Sequence, residues 1–203
     1  MIISGSMQRV IRVLANRKEI KLRELAKEAS VSLGIAVRLT NDLKKTGYIE
    51  KKIKIKVKNA KRLVKCWSFA VSIDELGKIE FTAAERPLYV MKKIANIADK
   101  NKLKYAFTLF SATEIVSPYV SPQLTHLYIL KEEEEKWKEI LPKENIFPAE
   151  KGNIVCFLVD NSYFYFAKNI RGINVVSLPQ LYADLFSYKG RGEEAAEQIL
   201  KVI

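Results

Sequence analysis

Gly34, Val37, Arg38, Asn41 and Lys45 are spaced three and four residues apart, so on a helix they share one face. Their types suit the edges of base pairs. An arginine fork matches guanine, an asparagine amide matches adenine, and a valine methyl can touch the methyl of thymine. Gly34 removes a side chain near the start of such a helix, where backbone and duplex could come close. Lys44 adds a second cation beside Lys45. Farther on, YIEKKIKIKVK sets Ile53, Ile55 and Val57 against Lys52, Lys54, Lys56 and Lys58. Period two marks a strand with one apolar side, and its other side of ammonium groups would grip phosphates. Each feature also has a plain reading: the helix face as an ordinary polar surface, the lysines as protection of a strand edge against pairing.

The elements that must hold these residues are legible around them. Leu22, Leu25, Ala26 and Ala29 recur at helical spacing and Ser30-Val31-Ser32 breaks the pattern. Ser32 is a good N-cap for a second helix, in which Ile35, Ala36, Leu39 and Leu43 face inward with Leu33 at the edge. Gly47 follows as a stop. Val10, Ile11 and Leu14 predict an earlier helix over about Met7–Asn16, with residues 1–6 as a loose tail, and Glu19–Lys21 a small strand. Helix, tight turn, helix and lysine-lined strand together read as a winged helix-turn-helix. The wing's turn has no glycine, so its tip is not placed. The candidate DNA-binding residues are Ser32, Gly34, Val37, Arg38, Asn41, Lys44, Lys45, Lys52, Lys54 and Lys56.

The charge is lopsided in the same direction. The 203 residues carry +12 in all; residues 1–66 hold 18 Lys/Arg and 5 Asp/Glu, a net of +13, while residues 67–203 hold 17 and 18, a net of −1. A polyanion-binding part joined to a near-neutral part accounts for this, although a solvated basic surface would too. Apolar residues at 48% and aromatics at 10% indicate folded domains. No apolar run reaches the roughly 18 residues of a membrane span, and the first residues lack the pattern of a signal peptide, so a cytoplasmic protein is expected. Cys66, Cys156 and the single His126 cannot supply the four or so ligands of a structural zinc site. No metal or cofactor is expected.

Two domains follow: residues 1–70, ending in a linker helix from about Ala60, and residues 77–203. In the second, the pattern predicts a helix over Phe81–Asn101, a strand over Lys104–Phe110, a helix capped by Ser111 running to Tyr119, and a strand over Leu124–Leu130. A charged helix, KEEEEKWKEIL, comes next. Asn153–Val159 and Tyr163–Ile170 read as a hairpin turning at Asp160-Asn161-Ser162, followed by a short strand at Asn174–Ser177. Two helices close the chain, with Pro179 in the first turn of one and Lys189–Gly192 between them. The order is α+β, without repeats.

The tail, VSLPQLYADLFSYKGRGEEAAEQIL, resembles the C-terminal signature of the AbiEi-type regulators, antitoxins of type IV toxin–antitoxin systems. The matching residues are Val176, Ser177, Gln180, Leu181, Tyr182, Asp184, Leu185 and Gly190 through Ala196. YAFTLFSATEIVSPYVSP is similar to the family's middle segment, except that Thr108-Leu109-Phe110 stands where a threonine-glycine is usual. The resemblance implies a DNA-binding winged helix ahead of a nucleotidyltransferase-like domain, repression of the protein's own operon, and a nucleotidyltransferase toxin as partner. A homodimer would match a palindromic operator.

A catalytic nucleotidyltransferase is the rival reading, and a protein-interaction adaptor a third. The enzyme needs a Gly-Ser turn and paired carboxylates holding Mg²⁺. Asp184 and Asp160 each stand alone, and no catalytic residues are assigned. Gly190-Arg191-Gly192 before a helix could cradle a phosphate, but Glu193 and Glu194 would repel it. The plainer expectation is a turn in which Arg191 pairs with a carboxylate such as Asp184.

Overall fold

The computed structural model describes residues 3–118, 121–188 and 190–203. Helix α1 (Gly5–Asn16) opens on Ser4, whose hydroxyl accepts the Met7 N–H. Residues 4–6 are therefore part of the helix and its cap, not a loose tail. Strand β1 (Glu19–Ile20), α2 (Leu22–Glu28), α3 (Leu33–Lys45), β2 (Ile49–Lys51) and β3 (Ile55–Val57) follow. The strands form an antiparallel sheet in the order β1-β3-β2. Val10, Ile11, Leu14, Ile20, Leu25, Leu43, Ile49 and Ile55 are buried together beneath it.

One expectation fails here. Ile53 is not on the apolar side of a strand, because β2 ends at Lys51 and β3 resumes at Ile55, its register partner. Residues 52–54 make the turn, and Ile53 stands 93% exposed at its apex. Alternation alone cannot tell a strand residue from one in a tight turn that keeps the same parity.

Helix α4 (Ala60–Ser68) is capped by Asn59, which accepts the Arg62 N–H. It serves two cores. Leu63 and Trp67 pack with α1–α3, whereas Val64 packs with the rest of the chain. The elements that follow are β4 (Lys78–Thr82), α5 (Pro87–Asn101), β5 (Tyr105–Phe107), α6 (Leu109–Val116), β6 (Thr125–Leu130), α7 (Glu134–Ile140), β7 (Phe147–Pro148), β8 (Ile154–Val159), β9 (Lys168–Ile170), β10 (Ile173–Val175), α8 (Leu178–Ser187) and α9 (Gly192–Lys201). The sheet order is β7-β4-β8-β6-β5-β10-β9. The β6–β8 and β5–β10 pairs are parallel and the others antiparallel. The fold is mixed α+β.

Several boundaries differ from the sequence reading. Phe81 lies in β4 rather than in a helix, and α5 begins only at Pro87, whose fixed φ suits a first turn. Residues 163–170 are not a strand paired with β8. A short 3₁₀ turn occupies Asn161–Phe164, capped by the Asp160 carboxylate, and β9 pairs with β10 through a turn in which Arg171 and Gly172 both have positive φ. Helix α6 begins at Leu109, two residues before the expected cap, and ends at Val116. Ser111 lies inside it and accepts the His126 N–H; Tyr119 is outside the described residues.

A chain of buried polar groups joins the two cores. Arg12 on α1 is 2% exposed. Its Nε donates to Gln180 Oε1 at 2.7 Å and its Nη1 to Ser162 Oγ at 2.8 Å. The guanidinium lies 4.3 Å from the ring centre of Tyr163 and 5.4 Å from that of Trp67. Gln180 in turn donates to Asp184 Oδ1, while Thr108 donates to Oδ2. At the rim, Arg17 and Tyr165 both hydrogen-bond the Glu28 carboxylate.

Candidate nucleic-acid interface

Helix α3 forms because its apolar residues recur along one stripe and because both ends are satisfied. The Ser32 hydroxyl accepts the Ile35 N–H at 3.2 Å, and the last turn carries Lys44 and Lys45, which complement the carbonyl end of the helix dipole. Gly47 leaves it at φ +77°, a conformation open to glycine at little cost. Ala36, Leu39 and Leu43 are buried. The opposite face carries Gly34, Arg38, Asn41, Lys44 and Lys45, all exposed, with Val37 half-buried beside them. Ser32 is exposed too, although its hydroxyl is already engaged in the cap. A Cβ at Gly34 would meet nothing within 4 Å. The protein's own packing therefore does not require a glycine there.

Beside this face stands the β2–β3 hairpin, with Lys52, Lys54 and Lys56 exposed. Lys54 is paired with Glu19, whose carboxyl it holds below the ordinary range, and Lys58 lies 3.9 Å from Glu50. These exposed pairs are weak. Helix and hairpin are tied by a residue the sequence reading passed over. Lys51 Nζ donates to Thr40 Oγ1 and Asn41 Oδ1, both at 3.0 Å. Its parity with Ile49 and Ile55 was the available signal. Lys51 points toward the helix side of the hairpin, its stem half-buried and its ammonium reaching out.

The other candidate residues are dispersed. Asp184 is fully buried, and burial raises its carboxyl to about 6. Arg191 meets a carboxylate as expected, but that of Glu194, 3.5 Å away, rather than the buried Asp184. A cavity of about 310 Å³ opens beside Phe110, Leu124, His126, Tyr188 and Arg191. His126 stacks on Phe157 and is held neutral, its pKa lowered to about 4 by burial. Cys66 and Cys156 are both free thiols. Among the described residues no three His, Cys, Asp or Glu side chains gather as metal ligands would, and no helix is long and apolar enough to cross a membrane.

A family model described as transcriptional regulator, AbiEi antitoxin, type IV TA system matches residues 56–203. The match begins within β3 and takes in α4 and everything after it, whereas α1–α3 precede it. No curated protein matches the chain.

Proposed function

The chain belongs to the AbiEi antitoxin family of type IV toxin–antitoxin regulators, and on that premise we propose that residues 1–70 form a winged helix-turn-helix binding double-stranded DNA at its own promoter. Helix α3 is the reader in the major groove, and the β2–β3 hairpin is the wing on the phosphates. Residues 77–203 form a nucleotidyltransferase-like domain that opposes a toxin of nucleotidyltransferase type. The protein acts in the cytoplasm as a regulator rather than an enzyme. It binds as a homodimer or in tandem, since one such helix covers about half of a palindromic site.

The observation that carries this reading is the face of exposed Gly34, Arg38, Asn41 and Lys45 with half-buried Val37 among them, beside an exposed lysine hairpin, in the part of the chain that holds all the net positive charge. Asp184 supports the regulator over the enzyme, because it is sealed against Thr108 and Gln180.

The test is a titration of wild type and variants on promoter and scrambled duplexes at several salt concentrations. Lys54→Ala/Lys56→Ala should weaken binding to all DNA alike and flatten log K against log salt by roughly 1–2 units, about 0.9 per lost phosphate contact. Arg38→Ala or Asn41→Ala should instead remove roughly 1–3 kcal/mol of preference for the promoter. A wild type without promoter preference, or helix variants that keep it in full, would sink the assignment. Protection of one isolated half-site at saturation would count against the dimer. Relief of growth arrest on co-expression with the cognate toxin tests the antitoxin role, and persistent arrest removes it.

A further inference from the structure

The cavity of about 310 Å³ beside Tyr188 takes no part in the DNA-binding reading. Its size lies at the lower end of ligand pockets, about 300–1,000 Å³, and suits a molecule of about one ring. Three aromatic side chains wall it. Tyr188 caps the end of α8 and stands 5.5 Å from His126 and 6.0 Å from Phe110, at interplanar angles of 73° and 75°. Leu124, half-buried in the loop before β6, adds an aliphatic side. A further flat ring entering among these finds both edges and faces to pack on.

The polar groups narrow the choice. His126 is 4% exposed, and its Nδ1 is buried with no hydrogen-bond partner among the described residues. Such an atom is uncommon and marks a place where a partner is missing. Burial lowers the pKa of this imidazole to about 4, so at neutral pH it offers one donor and one acceptor nitrogen rather than a charge. The cations beside the cavity are already matched. Lys78, near enough to act on both His126 and Tyr188, lies 2.7 Å from Glu80. Arg191 at the rim lies 3.5 Å from Glu194. A Cβ at Gly192 would come 2.2 Å from the Leu185 carbonyl oxygen, so α9 starts hard against the end of α8 and keeps Arg191 in that place. A charged molecule would enter without a counter-ion, and a charge taken out of water unpaired is costly.

We propose that this cavity binds a neutral, planar, single-ring aromatic molecule carrying an amide or ring-nitrogen hydrogen-bonding group, its ring against Tyr188 and Phe110 and its polar group on the His126 imidazole. The site stands independently of the DNA-binding reading. Its occupant would rest on the end of α8, the helix whose Gln180 meets Arg12 of the first core.

The experiment is a ligand-observed NMR titration of the full chain. Benzamide, nicotinamide and 2-pyridone are the neutral probes, and benzoate and nicotinate are the anionic counterparts of the two amides. The neutral probes should bind saturably, and each anion about tenfold more weakly than its amide, the scale of an unpaired buried charge that stays partly solvated. Leu124→Trp fills the cavity and should abolish binding. His126→Phe keeps a ring stacked on Phe157 but removes both ring nitrogens. It should weaken the neutral probes about fivefold, the scale of one hydrogen bond. Urea unfolding shows whether each variant is folded, and His126→Phe decides alone if Leu124→Trp is not. No saturable binding by any neutral probe, binding unchanged in Leu124→Trp, or equal affinity in wild type and His126→Phe would overturn the inference. Anions bound as tightly as their amides would overturn the neutral class of ligand.

Discussion

Two buried titratable side chains set opposing pH dependences. Burial raises Asp184 to about 6 from 3.8, against the hydrogen bonds it accepts from Thr108 and Gln180. Between those values the folded protein holds a proton that the unfolded chain has released. Asp184 therefore contributes stability that is full below about pH 4 and lost as pH rises toward 6. His126 does the reverse. Burial lowers it from 6.5 to about 4, so across that range the unfolded chain holds the extra proton and stability grows with pH. Each full shift corresponds to about 3 kcal/mol. In the wild type the two nearly cancel between about pH 4 and 6. In urea unfolding at a series of pH values, Asp184→Asn should gain stability as pH rises through this window, and His126→Phe should lose it. Parallel profiles in the two variants would show that neither group titrates as its burial demands.

Helices α1 to α3 stand close to where apolar spacing and cap residues put them, because each is specified within its own few residues. Ser4, Ser32 and Asn59 cap their own helices. The strands were harder to read. KIEFT runs into Ala83, Ala84 and Leu88 without a change of apolar density, so the end of β4, Phe81–Thr82, reads as the start of the helix behind it and Lys78–Glu80 falls in no element. Tyr163, Tyr165 and Ala167 alternate like a strand, but Phe166 has φ +58° and the backbone turns there, leaving only Lys168–Ile170 to pair. The partner of β9 is decided by the Arg171-Gly172 turn, which the alternation upstream does not reveal. Gly34 is a place where local rule and element disagree, since a glycine inside a helix is unfavourable by up to about 1 kcal/mol relative to alanine. Nothing in the fold occupies the space its Cβ would take. Gly34→Ala should therefore hold or raise the urea midpoint and yet weaken promoter binding. Unchanged binding by a stabilised variant would mean that the duplex does not approach this turn of α3 closely.

Across the whole molecule the two cores share helices and a buried polar bridge. Helix α4 sends Trp67 into the first core and Val64 into the second, and α8 sends Ala183 into the first and Leu181 and Leu185 into the second. Arg12 bridges them to residues 150 and 168 positions away, a distance over which no local pattern carries information, which is why the bridge was invisible in the sequence. Its removal leaves Gln180 and Asp184 without their cation and strips a plate from Trp67 and Tyr163. The chain's two tryptophans report separately, Trp67 from the first core and Trp137 from the second, both fully buried. In Trp67→Phe and Trp137→Phe, each left with one tryptophan, the urea transitions should coincide. Arg12→Ala in each background should cost roughly 1–3 kcal/mol, the scale of leaving buried hydrogen-bond partners such as Gln180 unsatisfied, and should move the Trp67 signal to lower urea than the Trp137 signal. The consequence is functional, because α1 carries Arg12 and packs against α3. A rigid seam would pass a change at residues 77–203 to the face of α3 proposed to read DNA, whereas two cores that melt separately with Arg12 in place would leave that face independent.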